Sequence, residues 1–303
     1  MIKPLAVLAA LALLAAPAAA QTTSGDSGWV TPMVERMVQP DNAHRLSALT
    51  AMLEERQIAY TVTDFPGSPD SHGVGGRNVV VTIGDGPRDL VLGAHYDAVV
   101  LDDGKTVDGV VDNGASVVAL INAIESLQGY APRHRIVVVF FDQEELGLLG
   151  SKAWLAAADR SRIDAAVIFD VDAYGDSVIY GGMTSDAQGV VRGAVQGVCA
   201  RKALDCVGFE KFPPSDDQSF AAANIPVVSI GMQPAADARQ LWTLMHKGRA
   251  ALPAGVIPRV FTLIHTADDN MTAVEPAAVN RAFEMAFEVI RELDDAYPLP
   301  QTR

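Results

Sequence analysis

Apolar runs of strand length recur along the chain at Asn78–Ile83, Leu90–Ala94, Ile136–Phe141, Ala165–Phe169, Ser177–Tyr180 and Pro226–Gly231. Between them, apolar positions fall at helical spacing over Ala115–Leu127, Gly150–Ala158, Ala187–Ala203 and Gln218–Ala223. A last helix is predicted over Pro276–Asp295, burying Val279, Phe283, Phe287, Ile290 and Leu293 on one side. Strands that are nearly continuous Val, Ile and Phe are buried on both faces. Their alternation with helices predicts an α/β fold, a three-layer αβα sandwich around a mixed, mostly parallel sheet. The connection Gly84–Arg88 is too short for a crossover, so its flanking strands are expected to form an antiparallel hairpin. No repeat, linker or charge block divides the chain, which reads as one domain over residues 21–303.

The first twenty residues stand apart. Lys3 supplies a positive charge, Leu5–Ala16 forms a short apolar run, and Ala18-Ala19-Ala20 fits a cleavage site before Gln21. This pattern is that of a signal peptide and predicts an exported protein, periplasmic or secreted. No Cys follows the cleavage site to carry a lipid, and no later segment is read as a membrane span. With 37 acidic against 23 basic side chains, the net charge of −14 argues against a nucleic-acid partner and against a polybasic membrane anchor. In an exported protein Cys199 and Cys206 are expected to form one local disulfide, with two free buried thiols as the alternative.

Candidate chemistry gathers where ligands bind open α/β sheets, beyond the carboxyl ends of the strands. His95 and Asp97 follow one strand, Glu144 and Glu145 the next, and Asp170 and Asp172 a third, while Asp112 precedes the helix at Ala115. Two carboxylates 4 Å apart repel by about 4 kcal/mol at an effective dielectric near 20, so several can stay ionised together only around cations. Histidine with carboxylates and no thiolate suits zinc, manganese or cobalt. His95 and Asp97, two apart on an extended segment, face the same side, so Asp97 either binds metal or orients an imidazole. Adjacent Glu144 and Glu145 require a turn, which Gly147 permits; one can then bind metal while the other handles protons. His44, His72 and His134 sit in polar contexts and are expected in solvent, as are the pairs Asp102-Asp103 and Asp294-Asp295.

Six short motifs in order resemble the zinc-dependent M28 aminopeptidases: Gly93-Ala94-His95-Tyr96-Asp97, Asp112-Asn113, Glu144-Glu145-Leu146-Gly147, Asp172-Ala173-Tyr174-Gly175, Ser215-Asp216 and His265-Thr266-Ala267-Asp268-Asp269. The resemblance implies a zinc-exopeptidase fold with two Zn2+ ions per chain, bridged by Asp112. His95 and Asp172 would complete one site, Asp170 being the competitor for Asp172. Glu145 and His265 would complete the other, with His246 the rival of His265. It also implies Glu144 as general base, with Asp97, Asp216 and Asp268 behind the ligands, and hydrolysis of N-terminal residues from peptide substrates by a metal-activated water. Gln143, where a small residue is usual, and Ser116, where Gly is usual, depart from the family pattern. Residues 235–258 match none of its motifs; a helix is expected over Asp237–Gly248, as a cap over the site. Two other readings stand beside this one: a glutaminyl-peptide cyclotransferase with one zinc, and a non-catalytic metal- or peptide-binding homologue.

Overall fold

The computed structural model describes residues 27–182 and 189–299; the leader read over residues 1–20 lies outside them. Its strands are β1 (Thr61–Phe65), β2 (Gly76–Ile83), β3 (Asp89–His95), β4 (Arg135–Phe141), β5 (Ile163–Phe169), β6 (Ser177–Gly181), β7 (Cys206–Phe209) and β8 (Val227–Gln233). The helices are α1 (Val30–Glu35), α2 (Asn42–Glu55), α3 (Ala115–Leu127), α4 (Leu149–Ala157), α5 (Val190–Arg201), α6 (Asp217–Ala222), α7 (Ala235–Lys247), α8 (Val260–Leu263) and α9 (Pro276–Ala296). All eight strands join in one sheet of order β1-β2-β4-β3-β5-β8-β6-β7. The central run β4-β3-β5-β8 is parallel, and the pairs β1-β2, β2-β4 and β6-β8 are antiparallel.

Side-chain alternation sends each central strand into two cores. Leu90, Leu92 and Ala94 of β3 face a layer that includes α3, α5 and α9, while Val91 faces the layer with Leu155 of α4 and Phe220 of α6. Ile179 and Phe209 meet a third cluster under α7 and α8, with Ala238, Leu241 and Val260. Gly93 keeps this packing tight below the strand ends, since a Cβ there would meet Phe141 at 2.6 Å and Ile168 at 2.8 Å.

Several expectations need correction. The hairpin around Gly84–Arg88 does not form, because β4 lies between β2 and β3. β3 is buried along its whole length and takes parallel neighbours on both sides, whereas the partly exposed β2 sits one strand from the edge. Edge strands β1 and β7 and helix α1 are too short to carry a strong apolar period; α2, whose Leu46, Leu49 and Leu53 fall at helical spacing, is a further element absent from the sequence reading. The stretch Val110–Leu127 is long and apolar enough to span a membrane, but 89% of it is buried as the core helix α3 with its lead-in. Asp294 and His134 are fully buried rather than solvated, with Nδ1 of His134 2.8 Å from Asp294 Oδ1. Asp294 also accepts from the Tyr130 hydroxyl and from the backbone N–H groups of Arg133 and His134, which ties α9 to the start of β4. Cys199 and Cys206 form a disulfide that staples α5 to β7.

Candidate metal centre

His95 closes β3, Glu144 and Glu145 follow β4, and Asp170 follows β5, so three parallel strands deliver their chemistry to one edge. Asp112 arrives from the turn before α3, and its peptide bond to Asn113 is cis. His265 comes from the loop after α8. The chain turns sharply at these points: Gln143, Val171 and His265 all have left-handed backbones, with φ of 57°, 63° and 59°. A β-branched residue such as Val171 adopts that region only where its surroundings force it, a cost of order 1–2 kcal/mol.

Asp112 stands in the middle. Its Oδ1 lies 3.0 Å from His95 Nε2, and its Oδ2 lies 3.2 Å from His265 Nε2. Asp170 Oδ1 is 3.6 Å from His95 Nε2, and Glu145 Oε2 is 3.1 Å from His265 Nε2. Two ligand groups therefore share Asp112: His95, Asp112 and Asp170 on one side, and Asp112, Glu145 and His265 on the other. Within each group the donor atoms lie within 4.8 Å of one another. His95 Nδ1 and Nε2, Glu145 Oε1 and Asp170 Oδ1 are buried with no hydrogen-bond partner among the described residues. Such a set of imidazole and carboxylate donors, buried and unsatisfied, fits a pair of divalent cations.

Around this core the supporting contacts are backbone-directed. The Asp97 carboxylate accepts from the N–H groups of Glu144 (3.1 Å) and Glu145 (3.2 Å) and stands 3.3 Å from His95 Nδ1. It thus orients both glutamates and lies beside one imidazole. Asp269 accepts from the N–H groups of Val111 (2.7 Å) and Asp112 (3.1 Å), fixing the turn that carries Asp112. Asn113 donates to Phe169 O and accepts from Val171 N, pinning the turn that carries Asp170.

Charge is crowded here, and burial sets the proton affinities. Glu144 is pushed up to about 10 by burial and by the carboxylates of Asp216, Asp170 and Asp97, against the pull of His95. Burial also raises Glu145 to about 7 and Asp216 to about 7. Asp112 differs: burial opposes its ionisation, but the imidazoles of His265 and His95 hold its carboxyl well below the usual range. His265 is pushed up to about 10 by its contacts with Asp112 and Glu145. His95 is raised as well, burial being outweighed by the carboxylates of Asp112, Asp170 and Asp97. Both imidazoles must release a proton to accept a cation, so metal uptake releases protons here.

The structure brings His95, Asp112, Glu144, Glu145, His265, Asp97 and Asp216 together and separates two others. Asp172 is not a ligand: it is fully buried below the cluster and accepts a 2.7 Å hydrogen bond from Ser116 Oγ, while Asp170 takes the place beside His95. Burial pushes the Asp172 carboxyl well up. Ser116, a departure from the family pattern, is thus the partner that holds it there. Asp268 is exposed, and its neighbour Asp269 is the buried carboxylate that holds the turn carrying Asp112. His246 lies away from the centre, stacked on Trp242 at 4.4 Å. Arg45 went unrecognised in the sequence. It is fully buried and donates to the carbonyls of Tyr96, Met37, Asp108 and Gly109.

A sequence profile for peptidase family M28 matches residues 78–290. The vacuolar membrane protease of Meyerozyma guilliermondii is 37% identical over 83 residues, which are 26% of this chain but only 8% of that protein. Among solved structures, the Bacillus subtilis zinc aminopeptidase BSAP superposes with a TM-score of 0.58 at 16% identity, covering 72% of this chain and 50% of its own. Porphyromonas gingivalis glutaminyl cyclase gives 0.67 at 20% identity, covering 90% of this chain and 99% of its own. At such identities the structural likeness is one of fold.

Proposed function

The chain belongs to peptidase family M28, and from that premise we propose that it is a zinc-dependent aminopeptidase, hydrolysing N-terminal residues from peptides at a centre of two zinc ions. The observation that carries this reading is Asp112, with one carboxylate oxygen turned to His95 and the other to His265. His95 and Asp170 would hold one ion, Glu145 and His265 the other, and Asp112 both. When bound, the metals supply the acidity that activates a water near neutral pH and the charge that polarises a scissile carbonyl.

The chain's own residues do the rest. Glu144 lines the pocket beside the cluster without belonging to either ligand group, as a general base must. Ionised once cations offset the neighbouring carboxylates that raise it, Glu144 would take the proton of the attacking water and deliver it to the leaving amine. Asp97 keeps Glu144 and Glu145 in register through their backbone N–H groups, so neither can move without the other. The surplus of carboxylate around Asp170 and Asp216 suits the positive α-amino group of a substrate's first residue, which favours an exopeptidase. Export is part of the same proposal, and the Cys199–Cys206 disulfide supports it, since such bonds persist in oxidising compartments.

The test is Glu144→Gln assayed on aminoacyl anilides, with metal measured by elemental analysis. The expected result is a 10²–10⁴-fold fall in kcat with metal content unchanged at two ions per chain. Full activity in that variant would refute the assignment of the base. One ion per chain, with cyclisation of N-terminal Gln peptides and no anilide turnover, would transfer the protein to the cyclotransferase reading.

A further inference from the structure

Beside the cluster opens a pocket of about 570 Å³, large enough for any amino-acid side chain. Its two ends differ in chemistry. The catalytic carboxylates and His265 stand at one end, and Phe261, 46% exposed, stands at the mouth. Ile179, Leu241 and Gln233 are only 3%, 1% and 1% exposed, so they form the inner wall. Within this apolar wall Gln233 is the one amide. It is the last residue of β8, and its Oε1 accepts a 2.8 Å hydrogen bond from the Tyr174 hydroxyl. Tyr174 is itself fully buried, with the Arg259 guanidinium 4.8 Å over its ring. That bond holds one end of the amide. Its other end, Nε2, makes no hydrogen bond to a described residue, and Gln233 lines the cavity.

We infer that Gln233 is a specificity-determining residue, and that the pocket selects a substrate whose first side chain is large, apolar along its length and tipped by a hydrogen-bond acceptor, tyrosine above all. This rests on the aminopeptidase reading, which puts the first side chain in the pocket next to the cleaved bond. A phenylalanine would fill the same space but leave the Gln233 N–H groups buried without a partner, which is where discrimination against a close analogue arises. A glutamine side chain would bring N–H groups of its own against Ile179 and Leu241. Anionic side chains would meet Asp170 and Glu145 on the way in, and the inner wall offers no carboxylate to a lysine or arginine.

The experiment compares kcat/KM for tyrosyl and phenylalanyl anilides in the zinc-loaded wild type, in Gln233→Met and in Tyr174→Phe. The expected result is a tyrosine preference of about tenfold, the worth of one hydrogen bond, in the wild type. In Gln233→Met the ratio should fall to about one, and in Tyr174→Phe, where the amide is no longer held, it should fall part of the way. A wild-type ratio near one, or a tenfold ratio that survives Gln233→Met, overturns the inference and leaves the aminopeptidase reading standing. If Gln233→Met does not fold, the ratio in Tyr174→Phe decides, and no change there overturns it. No turnover of any anilide by the wild type refutes the aminopeptidase reading itself, and this inference with it.

Discussion

Arg45→Met removes the one arginine or lysine side chain that is fully buried among the described residues. In the folded chain Nε donates to Tyr96 O at 2.5 Å, Nη1 to Met37 O at 2.7 Å and Asp108 O at 2.8 Å, and Nη2 to Gly109 O at 3.0 Å. These carbonyls belong to three segments: the turn after α1, the residue between His95 and Asp97, and the approach to Asp112. Hydrogen bonds from a charged donor contribute about 1.5–3 kcal/mol each. Against them stands the cost of burying the charge. Burial pulls the guanidinium from its ordinary value down to about 10 despite Asp97, Asp269 and Asp112, which corresponds to about 3 kcal/mol. Methionine fills part of the volume but leaves the carbonyls of Tyr96, Met37 and Asp108 without a donor, Gly109 O keeping that of Gly114 N, so the expected loss is about 4 kcal/mol, near the range for breaking a buried charged network. For a domain of this size that lowers Tm by about 7 °C. Urea denaturation of metal-stripped wild type and variant, at equal m-values, measures the loss without the added stability of bound metal. A loss below about 1 kcal/mol would refute the reasoning, by showing that the carbonyls find other partners.

Other outcomes follow from the same geometry. Asp170→Asn should cost one metal ion per chain, whereas Asp172→Asn should keep both and change stability by less than about 1 kcal/mol, since a carboxyl raised by burial is already protonated and the amide can still accept from Ser116; elemental analysis and thermal melts separate the two. Asp294 is opposed by burial, but its bonds from Arg133 N, Tyr130 and His134 hold the carboxyl below its ordinary value. Its contribution is therefore present above the unfolded pKa of about 3.9 and lost as pH falls through the lower folded value. The stability advantage of wild type over Asp294→Asn should be constant from pH 7 to 5 and shrink below about pH 4; an advantage that grows on acidification would contradict the sign. Cys206→Ser opens a short loop and should cost about 2 kcal/mol, read as a lowered urea midpoint that reductant reproduces in the wild type.

Much of the centre was legible because the chain places its chemistry where apolar runs stop. His95, Glu144 and Glu145 each follow a continuous apolar strand, and the predicted helix Ala115–Leu127 and strand Ile136–Phe141 span the distance from Asp112 to the two glutamates. The errors are errors of register over one or two residues. Asp170 and Asp172 flank Val171, whose left-handed backbone breaks the two-residue alternation and turns the second carboxylate under the sheet toward Ser116. Asp268 and Asp269 differ by one position in a loop with no period at all. Arg45 had no local signal, since an arginine on an amphipathic helix is ordinary until three distant carbonyl-bearing segments close over it.

Apolar periodicity and the placement of polar residues at strand ends determined the α/β class, the central strands, the long helices and most of the ligand set, because burial on two faces demands a local pattern that any reader of the chain can see. Strand order, the insertion of β4 between β2 and β3, the choice of Asp170 over Asp172 and the amide of Gln233 inside an apolar wall were decided only in three dimensions. Those depend on which surfaces meet across the chain, and on backbone turns forced by packing, and neither leaves a period in the sequence.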